Sequence, residues 1–358
     1  MNIDQFMKKM NAKFGEGSLI ELGGDQSNLD IETMPTGLSS LDLVLGNGGL
    51  ARGRIIEIYG GEGAGKTALV SWIVAEAQRR AGQQPRTTKD RDAEDVKPIS
   101  GRVAFIDVEH AYDPHFARQL GVQTDPGKGF YFSQPMSGED ALQEMQMIVE
   151  SGLFDYVILD SVAGLLSESE ATSDHGQRQI AQVATLMSTG LRKLTGAISK
   201  SRTIAIFINQ IREKPAVMFG SPETTTGGRA LKFHASYRLR ISKKQQIKKG
   251  TQVVGHTMKI SVKKNKLAPP FQDTEIDFYY QEVGEGKDYR NIGFDMMGDL
   301  IKTAKESGVL NLNGSQYVYA DKETGEILLK ENGAVKLIST LQENPEILEK
   351  IKEEVGRL

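Results

Sequence analysis

Apolar residues recur along this chain in two rhythms. Residues 3 to 14 place Ile3, Phe6, Met7, Met10 and Phe14 at the three-and-four spacing of one helical face, and glycine-rich, polar sequence follows. This predicts a short amphipathic helix on an arm, its apolar stripe either folded onto the chain's own core or docked on another subunit. From about residue 40 unbroken apolar runs take over: IIEIY (55 to 59), VAFID (103 to 107), YVILD (156 to 160) and IAIFIN (204 to 209). Helical stretches at 66 to 81, 113 to 120, 138 to 151 and 178 to 200 alternate with them. Runs without polar alternation suit strands covered on both faces, so the pattern predicts an α/β fold with a mainly parallel sheet flanked by helices.

Three stretches break that rhythm. Residues 83 to 101, QQPRTTKDRDAEDVKPISG, are charged, bounded by proline and without apolar period, which predicts an exposed, mobile loop. After residue 230 come strand-like segments, YRLRI and TMKISVKKNK, separated by the basic stretch KKQQIKKGTQ. From about 286, FDMMGDLIKTAKESGVL predicts an amphipathic helix ending near Gly308, and VKLISTLQENPEILEKIKEEVGRL predicts two more broken at Pro345. The expected division is an arm (1–32), a core (33–285) and a small α+β C-terminal domain (286–358).

Composition narrows the chemistry. With 39% hydrophobic and 25% charged residues, the 358-residue chain has the balance of a folded soluble protein. No window approaches the roughly 18 to 20 apolar residues of a membrane span, and the N-terminus lacks a signal-peptide core, so a cytoplasmic location is expected. The absence of cysteine excludes disulfides, thiol catalysis and thiolate-ligated zinc, and the five histidines are scattered. A net charge of -3 gives no general signal for nucleic acid, leaving only local charge to track phosphates.

The strongest chemical signal is GGEGAGKT, residues 60 to 67, directly after an apolar strand and before a helix. Gly60, Gly61, Glu62, Gly63, Ala64 and Gly65 can turn backbone amides toward phosphates, with the first turn of the following helix, as far as Ala68, adding its positive end. Lys66 suits the β- and γ-phosphates of ATP, and the Thr67 hydroxyl suits Mg2+. Asp160, at the tip of YVILD, is placed to complete the magnesium shell beside Thr67. Glu109 follows VAFID at the carboxyl end of a strand, where a carboxylate can orient the attacking water; a solvent-exposed loop glutamate is the alternative.

Four ordered stretches resemble the RecA recombinase family across almost the whole chain. They are residues 36 to 67, FIDVEHAYDPHFARQLGV (105 to 122), FINQIREKPAVMFGSPETTTGGRALKFHASYRLRI (207 to 241) and VKKNKLAPPF (262 to 271). The resemblance implies an ATP-dependent recombinase that forms a helical homo-filament on single-stranded DNA and pairs it with homologous double-stranded DNA. It implies Glu109 as the catalytic carboxylate and Gln210 as a γ-phosphate sensor reporting to the adjoining DNA loop. Lys264 and Lys266 correspond to a pair reaching across the subunit interface to the neighbour's ATP, and Phe233 to an interface aromatic. Asp113 and Phe116 correspond to adenine contacts, although a tyrosine is more usual at the latter position.

By the same resemblance two DNA loops cover about 171 to 181 and 211 to 228, with Arg178, Ile180, Arg192, Arg212, Phe219, Thr224, Thr225, Thr226, Gly227, Gly228 and Arg229 as DNA contacts. Glycine-freed amides, hydroxyls and a few cations grip phosphates without reading bases. The first loop departs most from the family: Ile180 stands near a usual methionine, and Thr185 at a usual arginine. The short N-terminal helix, the extra 83 to 101 segment and an end, EKIKEEVGRL, without a strongly acidic tail also fit a divergent or phage-encoded member. The family further implies a self-cleaving repressor, in the SOS response to DNA damage, and loading or mediator proteins as partners. A regulatory relative that binds ATP and DNA without exchanging strands, and a hexameric helicase on the same core, are the competing readings.

Overall fold

A computed structural model describes residues 1–15, 18–19, 31–87, 96–166, 180–213, 223–284, 289–321 and 324–356. Helix α1 (Ile3–Phe14) starts with a reciprocal cap between Asn2 and Gln5. None of its residues is buried, and Ile3 and Phe14 are 67% and 61% exposed, so its apolar stripe is not folded onto the chain's own core. Strand β1 (Glu32–Met34), α2 (Ser39–Leu45), β2 (Leu50–Ala51) and β3 (Ile55–Gly60) lead into α3 (Lys66–Arg79).

Strand β4 (Arg86–Thr87) comes from the charged stretch read as a free loop. It pairs with β1, and Val96 and Ile99 of the same stretch are buried. That expectation is therefore corrected: two apolar residues are too few to show a period, yet enough to pin the segment's far end. Residues 88–95 lie outside the described residues.

The main sheet is built next, from β5 (Val103–Asp107), β6 (Phe130–Ser133), β7 (Tyr156–Asp160), β8 (Ile204–Glu213), β9 (Glu223–Thr225), β10 (Tyr237–Lys249), β11 (Gln252–Asn265), β12 (Asp273–Tyr279) and β13 (Gly293–Phe294), with β3 at its centre. Its order is β13-β12-β11-β10-β3-β8-β7-β5-β6, with β9 on β8. The run β10-β3-β8-β7-β5-β6 is parallel, and β10 to β13 pair antiparallel. Strands β3, β5 and β7 are buried at every position, which is why their sequences carry no alternation.

Helices α4 (Pro114–Gln119), α5 (Gly138–Ser151), α6 (Ile180–Ser201) and α7 (Ala230–His234) complete this part. One apolar cluster packs α2 and α3 on one face of the sheet, and a second packs α5 and α6 on the other. Helix α5 shows how local sequence sets its bounds: Ser137 caps the Asp140 amide and Gly152 ends it in the left-handed conformation.

The basic stretch expected between two strands lies inside them: β10 runs to Lys249 and turns at Gly250, φ 61°, into β11. Cross-strand pairing of two long polar strands extends them where apolar alternation has ended. Strand β8 likewise runs past Gln210 to Glu213, because β9 supplies an antiparallel partner.

Helix α8 (Met296–Glu306), strands β14 (Asn311–Asn313), β15 (Gln316–Ala320) and β16 (Ile327–Asn332), and helices α9 (Ala334–Glu343) and α10 (Pro345–Gly356) enclose a third apolar cluster. Their sheet is antiparallel, and the Asp299 carboxylate ties α8 to the Ser40 hydroxyl and amide of α2.

Candidate nucleotide and nucleic-acid site

The loop after β3 is shaped by what a side chain would strike. A Cβ on Gly60 would lie 2.3 Å from the Ile241 carbonyl oxygen. Gly65 sits at φ +95°, and its Cβ would meet Met258 Cε at 2.5 Å. Lys66 then opens α3, and its ammonium donates to the Gly61 carbonyl at 2.9 Å and the Gly60 carbonyl at 3.3 Å, folded over the loop it follows. Burial lowers its pKa against the pull of Asp160, Glu109 and Glu62, which raise it. Gly61, Glu62 and Gly63 are exposed while Ala64 and Ala68 are buried, so the loop's rim faces outward on an anchored base.

Beside it, Thr67 donates its hydroxyl to Asp160 Oδ2 at 2.9 Å. Burial pushes the Asp160 carboxyl up to about 6; the Thr67 bond opposes this and the Glu109 and Asp107 charges add to it. A carboxylate next to a hydroxyl is a pair of oxygen donors of the kind that would suit Mg2+. Among the described residues no cluster of three histidine, cysteine or acidic side chains could hold a metal.

Glu109 stands at the mouth of this corner. Its Oε1 accepts from the Ser161 hydroxyl and, at 3.1 Å, from Gln210 Nε2. Gly164 permits this position, since a Cβ there would come within 3.1 Å of Glu109 Cγ. Asp107 supports the turn beneath by accepting from the amides of Glu109 and Tyr112 and from the Gln134 side chain.

Gln210 is also the first residue past the edge of the buried core on β8. The arm beyond it pairs Ile211 with Thr225 and Arg212 with Thr224. Asn209 fastens the arm's return: its amide donates to the Thr226 carbonyl at 3.1 Å and to Glu57 Oε1 at 2.9 Å, and its Oδ1 accepts from the Thr226 hydroxyl. Glu57 is fully buried and takes Arg238 Nε at 2.5 Å, whose guanidinium lies over the Tyr59 ring. Gly227 and Gly228, at φ +77° and +76°, close the return against Val162 and Ala184. Lys264 Nζ meets the Lys232 carbonyl at 2.6 Å and the Phe233 carbonyl at 3.1 Å, and Lys266 Nζ meets that same Phe233 carbonyl at 3.1 Å.

Comparison with known proteins matches residues 1–285 to the RecA N-terminal domain family. The chain belongs to the RecA family. It is 43% identical to Protein RecA of Syntrophus aciditrophicus (strain SB), covering 99% of this chain and 92% of that protein. Protein RecA of Bacillus licheniformis is 42% identical over 99% of this chain and 90% of its own length, and that of Geobacter metallireducens 42% over 99% and 93%. Among solved structures, that of the RadB recombinase is similar at 19% identity and a TM-score of 0.47, covering 67% of this chain and 94% of that one.

Measured against RecA family expectations, the structure brings Lys66, Thr67, Glu109, Asp160 and Gln210 to one corner. It brings Lys264 and Lys266 together on the carboxyl end of α7, beside Phe233, which is 70% exposed. Asp113 is occupied as the cap of α4, accepting from the His115 and Phe116 amides, and Phe116 is partly buried against the core. Arg192, Arg212 and Arg229 are exposed on α6, β8 and the start of α7. Thr224, Thr225 and Thr226 are not in an open loop: the first two are strand, and the third is bonded to Asn209. Arg178 and Phe219 lie outside the described residues, as does the Ile180 side chain.

Sequence reasoning missed Ser161, Asp107, Glu57, Asn209 and Arg238. Asp107 and Ser161 carried a usable signal, since Asp107 ends a strand run and Ser161 follows one, each within two residues of an assigned carboxylate. Glu57 carried none, because one acid inside IIEIY looks like any tolerated polar position.

Proposed function

We propose that this chain carries out the RecA reaction: it polymerises on single-stranded DNA with ATP, pairs that strand with homologous duplex and exchanges strands, hydrolysing ATP as it turns over. The reading rests on one observation above others. The Gln210 amide bonded to Glu109 at 3.1 Å joins the carboxylate of the nucleotide corner to the first residue of the arm bearing Thr224 to Gly228. A change at the γ-phosphate therefore reaches the arm through one residue.

Within that reading, the amides of residues 60 to 68 and Lys66 hold the phosphates of ATP, and Glu109 orients the water for in-line attack. A bound Mg2+, held by Thr67 and Asp160, supplies charge neutralisation on the β- and γ-phosphates. Lys264 and Lys266 leave their carbonyls on α7 to reach the phosphates of a neighbouring subunit, with Phe233 seated in the same interface. Asp113 and Phe116 flank the adenine. Arg178, Ile180, Arg192, Arg212, Phe219, Thr224 to Gly228 and Arg229 line the DNA path. Residues 1–32 form the assembly arm, 33–285 the ATPase core and 286–358 the C-terminal domain. Among the described residues no helix is long and apolar enough to cross a membrane, in keeping with a cytoplasmic protein acting on DNA.

The test is joint-molecule formation between single-stranded DNA and homologous duplex, with ATP and Mg2+, comparing the wild type with Lys66→Ala. Products that require both homology and Lys66 support the recombinase. DNA-stimulated ATP hydrolysis without joint molecules replaces it with the regulatory relative.

A further inference from the structure

Under the arm lies a cavity of about 450 Å³ that the nucleotide corner does not use. Its roof is β9, its floor is Tyr59 of β3 with Arg238 and Arg240 of β10, and Lys232 and Lys263 stand at its sides. Four cations meet there. Arg238 is neutralised from behind by buried Glu57. Among the described residues Arg240 is engaged from the roof, where its Nε and a terminal nitrogen donate to the two oxygens of Glu223 at 2.9 and 2.6 Å. Lys232 reaches the Thr224 hydroxyl at 2.9 Å, and Lys263 is exposed. Thr225 also lines the cavity: the residue is 5% exposed, and among the described residues its buried hydroxyl has no hydrogen-bond partner.

A buried hydroxyl without a partner is costly unless something arrives to bond it. Thr225 lines a polar cavity with four cations, so the group that suits the cavity is an oxyanion. The fork of Arg240 fits a carboxylate and a phosphate in the same two-pronged way, and Glu223 already occupies it as a carboxylate would. We propose that this cavity is a phosphodiester pocket for the DNA strand lying along the arm, in which Glu223 holds the Arg240 fork until a backbone phosphate replaces it and bonds the Thr225 hydroxyl. The proposal rests on the DNA-binding reading above and adds to it an internal competitor. The strand must displace Glu223 to be gripped, so the arm lets go of its own sheet as it takes hold of DNA.

The test is a salt titration of binding to a fluorescent oligothymidylate, with Mg2+ and a non-hydrolysable ATP analogue. It compares wild type with Arg240→Gln, Glu223→Gln and Thr225→Val, and with Lys330→Gln as a remote exposed control on β16. Arg240→Gln is expected to weaken binding about tenfold and reduce the salt slope by about one. Thr225→Val keeps shape and loses the hydroxyl, and is expected to weaken binding about fivefold. Glu223→Gln removes the competitor and is expected to tighten binding. Opposite signs for the Arg240 and Glu223 variants are the signature of competition.

If the pair is only a clamp that orders β9, both variants weaken binding alike and the proposal is overturned; thermal melts identify any variant that fails to fold, with Thr225→Val as the isosteric safeguard. If wild type binds and all three variants track Lys330→Gln, the pocket fails and the recombinase reading stands. If wild type binds no oligonucleotide, that reading fails and takes the pocket with it. A parallel arm measures melting with inorganic phosphate alone. Phosphate stabilisation that depends on Arg240, with oligonucleotide affinity unchanged by Arg240→Gln, identifies a free-anion site and overturns the strand assignment.

Discussion

The two ends of the path through β8 are built by different rules. At the nucleotide corner the backbone sets the geometry: buried parallel strands end together, glycines turn the chain, Thr67 sits in the first turn of α3, Asp160 ends β7 and Glu109 follows β5. At the arm, side chains hold the backbone: Asn209, Glu57, Arg238, Glu223 and Arg240 fasten a short strand that lies off the main sheet path. A site set by buried backbone is preorganised and tolerates little. A site held by exchangeable polar contacts can be released by a competing ligand.

The sharpest way to break that contrast is at Glu109. If the corner is preorganised, Glu109→Gln keeps its shape and its acceptor oxygen while losing the charge that we propose orients water. ATP hydrolysis is expected to fall about a hundredfold or more, with nucleotide binding within about twofold of wild type. Steady-state ATPase assays beside binding titrations decide it, and a matching loss of nucleotide affinity would show that the corner is assembled by its ligand.

Asp160 tests the same corner through pH. Its folded-state pKa of about 6 lies above the 3.8 of an ordinary aspartate, because burial penalises the charge. The sign follows: the protonated carboxyl is the form the ligand-free fold prefers, so its stabilising contribution is complete below about pH 4 and is lost as pH rises through about 6. If Asp160 holds Mg2+ as proposed, the cation requires the ionised form, so Mg2+-nucleotide binding below about pH 6 would release a proton. Apparent affinity is expected to weaken toward tenfold per pH unit there and to level off above about pH 7, and Asp160→Asn should flatten the profile. Calorimetry in buffers of different ionisation heat counts the proton. A flat wild-type affinity between about pH 5 and 7 would remove Asp160 from the cation's shell.

This division also explains what could be read in the sequence. The phosphate loop, Asp160 and Glu109 were legible because buried strands show as unbroken apolar runs and each residue sits at the end of one. The stretch 138 to 151 matches α5 at both ends, and 66 to 81 matches the start of α3, which stops two residues earlier at Arg79. The arm was not legible in the same way. Strand β9 is threonine-rich and three residues long, so nothing local distinguishes it from a loop until β8 pairs with it. Arg238 and Arg240 alternate with apolar residues in YRLRI as exposed positions do, and their partners lie 181 and 17 residues away. Ion pairs across such distances leave no spacing to find. The 83 to 101 stretch failed for a related reason: its charge is conspicuous, and the two residues that anchor it are not.

The smallest expected effect probes whether the arm has any backbone-determined part. Gly227 follows the three threonines at φ +77°, where an added Cβ would lie 2.7 Å from Val162 Cγ1 and 3.3 Å from Met187 Cγ. Val162 is fully buried beside the nucleotide corner, two residues after Asp160, so this glycine is where the arm rests on the rigid half of the molecule. Gly227→Ala combines a left-handed backbone with a contact on a core side chain that has no room to move, and about 1–2 kcal/mol of stability should be lost. The loss falls on the arm's seat and not on the phosphate loop, so urea melts should shift while ATP-analogue affinity holds, and oligothymidylate affinity should drop severalfold. Gly228→Ala is the companion variant, its Cβ meeting Ala184 at Cβ, 2.9 Å, and at Cα, 3.5 Å. If Gly227→Ala leaves both stability and DNA binding unchanged, the arm is held by its side chains alone; if it weakens nucleotide binding as much as DNA binding, the two ends are one rigid unit and the contrast between them fails.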